Sequence, residues 1–248
     1  MFIRNEDFRS FLRYYPLVSI LIAINLLLFV LIYLLGFQSL LQLGVGQNGL
    51  IARGEYWRLV TPIFLHGGFA HVLFNSFSLY LFGPALEQML GKVKFLVGYF
   101  GAGLIANVAA FYLEDPYFSH VGASGAIFGL FGIYLYMAIN RKELIDQANS
   151  QLILTILGIG LIMTFISPNI NILGHLFGLI GGAVLAPLLL VGAKRFYSRP
   201  TVYARRTNPD EVSFNPNRWK YRRRVPPVVK KILWGFFIVL VIAGFLLR

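Results

Sequence analysis

Long apolar stretches alternate with short polar breaks along the chain. Seven stretches, at about 17–35, 71–90, 93–113, 121–139, 151–167, 171–192 and 229–247, approach or exceed the roughly 18–20 apolar residues that cross a hydrocarbon core. The pattern predicts an all-α polytopic membrane protein: a bundle of six helices with one extra C-terminal transmembrane helix. The breaks suggest four regions: an interfacial N-terminal segment at 1–15, the six-helix core at 16–192, a basic linker at 193–228 and the seventh helix at 229–248. The first stretch is long for a signal peptide, lacks a small-residue cleavage pattern and is followed by further spans, so it is expected to stay in the mature chain.

One break departs from the rule that loops are polar. Residues 36–70 carry Leu40, Leu41, Leu43, Trp57, Leu59, Val60, Ile63 and Phe64. Such a segment is expected to form short helices that lie on or dip into the outer leaflet, where irregular backbone survives only if it packs on protein or lines a wet cavity.

Composition agrees. Hydrophobic residues make up 57% of the 248 residues and charged residues 13%, against about 25% charged in soluble domains. Cysteine is absent, which excludes disulfides, thiolate metal sites and a cysteine nucleophile. The net charge of +12 would suit nucleic acid, but its placement points elsewhere. With the amino terminus inside, 19 of the 22 basic residues fall on the cytoplasmic side, leaving Arg53, Arg58 and Arg248 outside. That asymmetry fixes orientation by the positive-inside rule: N-terminus cytoplasmic, C-terminus outside. No nucleic-acid recognition motif accompanies the charge, so no nucleic-acid partner is expected.

Small residues recur every four positions in three spans: Gly98, Ala102, Ala106 and Ala110; Gly125 and Gly129; Gly174, Gly178 and Gly182. Such stripes let helix backbones approach closely in lipid. Polar residues lie beside two of them. Ser124 starts the fourth span, and His175 lies about five residues, roughly 8 Å, into the sixth. His71 and Asn75, four apart, share a face at the start of the second. These three spans run in the same direction, so their first turns share a depth. Each residue has an ordinary alternative: a helix cap for Ser124, an interhelical bridge for Asn75 or a histidine. Three histidines could hold a metal, but no carboxylate lies at their depth except Glu55, so neither metal nor cofactor is expected. Together they fit nucleophilic catalysis better. A serine hydroxyl needs a base, usually histidine, and attack on an amide creates an oxyanion that needs fixed donors. Gly122 would permit a tight turn and Gly125 a close approach of the sixth span.

At this level of detail the chain resembles the rhomboid family of intramembrane serine proteases. The resemblance covers residues 10–192 and rests on Gly122-Ala123-Ser124-Gly125 with Gly129, on His71 to Asn75 preceded by His66, on GHLFGLIGG around His175, and on EYWR from Glu55 to Arg58. It implies Ser124 as nucleophile, His175 as general base, and His71, Asn75 and the Ser124 backbone N–H as oxyanion hole. Gly122, Gly125, Gly178, Phe128 and His66 would support the site. Trp57 and Arg58 would organise the first outer loop, and Glu87 would anchor that loop or the second span. The implied substrates are transmembrane segments of other proteins in the lipid bilayer, cut near their outer ends. The implied place is a bacterial plasma membrane, the site opening to the outer face through a wet mouth that includes His66, and substrate entering past the fifth span. Phe128 stands where many bacterial members have tyrosine, which keeps ring stacking but loses the phenol. Two other readings stay open: a family member that binds membrane clients without cutting them, and a small transporter, which would need polar residues through the whole bilayer.

Overall fold

A computed structural model describes residues 1–2, 4, 6–167 and 170–197. The expected linker beyond residue 197 and the seventh helix lie outside the described residues. The chain is mostly helical. In order come α1 (Phe8–Tyr14), α2 (Pro16–Phe29) continuing as a π-turn to Leu34, α3 (Gln38–Gly44), β1 (Gly46–Gln47), α4 (Asn48–Ile51), 3₁₀ turns at Tyr56–Leu59 and Thr61–Phe64, α5 (Phe69–Leu90), α6 (Lys92–Leu113), β2 (Ser119–His120), α7 (Ser124–Asn140), α8 (Gln147–Ile166) and α9 (Ile172–Leu189). Among the described residues, five helices are long and apolar enough to cross a membrane: Pro16–Leu34, α5, α6, α8 and α9. The shorter apolar helix α7 lies among them. The apolar stretch expected to start at 121 begins its helix only at Ser124, because residues 121–123 are used as a loop after β2. The all-α expectation needs one amendment: β1 and β2 pair antiparallel, Gly46 opposite His120 and Gln47 opposite Ser119.

Local chemistry explains where helices start. Asp7, Asp146 and Asn171 accept the backbone N–H of the third residue onward, capping α1, α8 and α9. Pro16 opens α2, where its missing N–H costs nothing. Glu87 of α5 receives the N–H groups of Leu17 and Val18, at 3.0 and 2.9 Å. It therefore anchors the first span, not the outer loop or the second span: a carboxylate here satisfies orphan donors and the positive end of the α2 dipole. Pro84 inside α5 leaves the Tyr80 carbonyl without its helical donor. Arg4 fills the gap, donating to Tyr80 at 2.7 Å and to Leu81 at 3.0 Å. The N-terminal segment thus packs under the bundle, with Phe2 edge-on to Phe82 and Tyr134.

The segment after α2 does form short helices and turns, as expected. Arg58 is buried and donates to the carbonyls of Gln42 and Val45, both at 2.8 Å, and to Glu55 at 2.7 Å. Trp57 donates its indole N–H to Leu43 while its ring stays exposed. Asn48 ties the loop to the end of α6 through the carbonyls of Ala110 and Asp115.

The tightest packing joins α7 to α9. Ideal Cβ atoms built on Gly178 and Gly182 would collide with the backbone oxygens of Gly125 and Gly129, and one on Gly132 would collide with that of Leu179. One on Gly125 would lie 3.3 Å from the Gly174 oxygen and 3.0 Å from Ala106. The small-residue stripes noted in the sequence therefore face one another, letting backbone meet backbone along the seam.

Candidate functional site

The register of the α7–α9 seam decides which polar groups meet. Gly125 faces Gly174, and one turn further along α7 Phe128 stacks on His175, with ring centroids 4.2 Å apart and planes within 17°. Ser124 and Phe128 are four apart, so the serine projects one turn above the ring that lies on the imidazole. Ser124 is the first helical residue and is half-buried; Ala123, without a side-chain hydrogen bond, holds the cap position. The cap alternative for Ser124 therefore fails, and its hydroxyl is left for other work. At the start of α7 it also lies beside unpaired backbone N–H groups and the positive end of the helix dipole.

His71 approaches from α5. A Cβ on Gly122 would come within 2.6 Å of His71 Nε2 and 3.6 Å of Ser124 Oγ. Gly122 has φ of 133°, a value L side chains rarely adopt, and its N–H is held by the Pro62 carbonyl at 2.8 Å. Both the backbone angle and the lack of a side chain are thus needed for the histidine and the serine to share this corner. On the far side of the ring the Gly67 N–H donates to His71 Nδ1 at 3.3 Å. An accepting Nδ1 leaves the proton on Nε2, so the nitrogen beside Gly122 is a donor. Asn75 sits one turn below His71 on α5 and is buried.

His175 is buried and has a second partner: its Nδ1 lies 2.8 Å from the hydroxyl of Thr164 on α8. Sequence reading missed Thr164, since a threonine in an apolar span carries no signal until the neighbouring helix is known. It also gave no role to His120. That ring, from β2, meets Asn107 Oδ1 at 3.1 Å, and Asn107 donates to the Leu59 carbonyl at 2.8 Å. Burial lowers the pKa of His120 to about 4.

A cavity of about 670 Å³ opens above this corner. His71, His120, Gln42 and Asn171 supply polar lining, and Tyr33, Leu41 and Val121 apolar lining. His66 does not stand in its mouth as expected. It is 2% exposed and absent from the cavity lining, its ring packed edge-on to His71 with centroids 5.1 Å apart. Burial, with the neighbouring His71 adding to it, lowers its pKa to about 3. Among the described residues no group of three histidines, aspartates or glutamates could hold a metal ion.

The residues from 53 to 192 match the rhomboid domain family. The chain belongs to the rhomboid family of intramembrane serine proteases and is an integral membrane protein. It is 48% identical over 199 residues to the "Putative rhomboid protease YdcA" of Bacillus subtilis (strain 168), covering 79% of this chain and 100% of that one. It is 41% identical over 172 residues to rhomboid protease GluP of the same organism, covering 68% of this chain and 34% of that one. It is 35% identical over 170 residues to RHOMBOID-like protein 9, chloroplastic, of Arabidopsis thaliana, covering 64% and 38%. The chain therefore spans the whole of the first relative and about a third of the other two.

Proposed function

We propose that the chain cuts transmembrane segments of other membrane proteins near their outer ends, with Ser124 as nucleophile and His175 as general base. The observation that carries this is the stacking of His175 on Phe128, one turn from Ser124, along a seam with no room to slide. Ser124 Oγ attacks the scissile carbonyl carbon as its proton passes to the unprotonated ring nitrogen of His175. The carbonyl electrons move onto oxygen, where His71 Nε2–H, the Asn75 amide and the Ser124 backbone N–H receive the charge. Collapse breaks the C–N bond, and His175 returns the proton to the leaving amine. Water from the cavity then attacks the acyl-enzyme by the same proton route, releasing the second product and Ser124. With no carboxylate as third member, the base works in a dyad.

The orientation follows from charge: the N-terminus faces the cytoplasm of a bacterial cell and the cavity opens outward across the plasma membrane. Helix α8 is the least buried of the five long helices, and it is the side from which a substrate helix would enter. Arg58 and Asn48 hold the outer loop as a rigid wall through buried hydrogen bonds. The client-binding and transporter alternatives need no reactive serine. The test is cleavage of a single-span substrate in liposomes, with fluorophosphonate labelling in parallel. Wild type cleaves and labels; Ser124→Ala does neither and melts at the wild-type temperature. Equal cleavage by Ser124→Ala would overturn the assignment.

A further inference from the structure

Thr164 of α8 meets the His175 ring at Nδ1. Helix α8 buries a single narrow stripe, Ile153, Leu157 and Thr164, with Gly160 between them at the same helical spacing. A Cβ on Gly160 would lie 3.3 Å from the Phe128 ring, so this face of α8 abuts the Phe128–His175 stack. The Thr164 oxygen lies 2.7 Å from the Gly160 carbonyl oxygen and 2.8 Å from His175 Nδ1. Two oxygens at 2.7 Å require a proton between them, and a hydroxyl has only one to give. The carbonyl can only accept, so the threonine proton is committed to Gly160. Toward the imidazole Thr164 presents a lone pair, and Nδ1 must carry the hydrogen.

We infer that Thr164 is a positioning residue that holds His175 as the Nδ1–H tautomer, leaving Nε2 as the nitrogen that takes the serine proton. The inference rests on the reading of His175 as base. In triads of serine, histidine and aspartate, the carboxylate does this job by accepting from the far ring nitrogen and favouring the imidazolium. Here a neutral hydroxyl, polarised by a helix carbonyl, does it within the bilayer without a buried charge. The two histidines of the site are thereby held in opposite tautomers. Gly67 keeps His71 as a donor at Nε2, and Thr164 keeps His175 as an acceptor there.

The test uses the full chain in lipid nanodiscs with ¹⁵N-labelled histidine. The resonances of His175 are assigned by their loss in His175→Gln. Thr164→Val removes the hydroxyl at nearly constant shape, and Thr164→Ser restores it. In wild type and Thr164→Ser, the His175 spectrum is expected to show a protonated Nδ1 and a bare Nε2; in Thr164→Val the proton shifts toward Nε2. On a single-span substrate, kcat falls about tenfold to a hundredfold in Thr164→Val, with KM within twofold, and recovers in Thr164→Ser. A wild-type spectrum with the proton on Nε2, or full kcat in Thr164→Val, overturns the inference while leaving the Ser124 and His175 assignment standing. A wild type that neither cleaves nor takes up fluorophosphonate overturns that assignment instead, and the spectrum still decides the Thr164 bond. If Thr164→Val does not fold, the wild-type spectrum decides alone.

Discussion

Helix α9 carries His175 and helix α8 touches it through Thr164, and the two are held in opposite ways. Along α9, glycines bring main chain against the main chain of α7, so nothing flexible separates the two. Along α8, an added methyl at Gly158 would meet nothing within 4 Å, and most side chains face outward. The seam has one register; the neighbouring helix has slack. A protease acting on membrane helices needs both. Its reacting groups must be fixed to within a fraction of an ångström, while on the proposed route a substrate helix would pass beside α8. Ser124 and His175, the proposed nucleophile and base, lie on the rigid pair, and the adjacent helix is loosely packed, an arrangement that would meet both needs. Thr164 is where they intersect: displacement of α8 would take from His175 the partner of its Nδ1.

The contrast can be broken most severely at the seam. Gly178→Val places a branched side chain against the Gly125 oxygen. Because backbone cannot yield as a side-chain tip can, the expected cost is about 3 kcal/mol or more. Activity should vanish, and thermal unfolding in detergent or nanodiscs would show the loss of stability. A Gly178→Val protein that melts normally would mean the seam is not rigid. Asn75→Ala removes one candidate oxyanion donor from α5 and should lower kcat on the order of 10²-fold with little change in melting. A normal rate would assign the hole to other donors.

Acid should act on the fold more gently. The pKa of His66 falls from 6.5 to about 3 on burial. Between those values the unfolded chain binds the extra proton and the folded chain does not, so this contribution is full above about 6.5 and is lost as pH drops toward 3. Melting temperature should therefore fall through that window, and fall less steeply in His66→Gln. An equal slope would place the acid sensitivity elsewhere.

The smallest effects belong to α8. Gly160→Ala presses on the Phe128 ring at 3.3 Å and should reduce cleavage a few-fold by tilting the stack on His175. Gly158→Ala, one residue pair away and facing open space, should keep full activity and raise helix stability by about 0.5–1 kcal/mol. Initial rates and melting curves of the two variants, measured together, would show whether α8 touches the chemistry only through its buried stripe.

Much of this was legible from residues alone. The apolar stretches foreshadowed the five long apolar helices of the described residues and the shorter α7, since hydrocarbon leaves a backbone few alternatives. The four-residue spacing of glycine and alanine in α6, α7 and α9 pointed to close contact, and those stripes do face one another. Less legible were groups whose roles depend on a partner far along the chain. Glu87 reads as a carboxylate within a span, yet it caps α2, seventy residues earlier. His66 reads as a polar residue near the surface, yet it is buried with its ring edge-on against His71. The missing N–H of Pro84 was visible, but not that Arg4 would supply the lost donor.

The sequence by itself determined that the chain lies in a membrane, where its helices run, and which serine and histidines could support hydrolysis. These follow from local length, periodicity and residue chemistry. Only the tertiary structure decided which faces meet: the stacking of His175 on Phe128, the glycine corner shared by His71 and Ser124, and the Thr164 hydroxyl at Nδ1 of His175. A helix fixes the spacing of its own side chains, but its rotation and depth against another helix depend on how two surfaces fit, and no single segment carries that information.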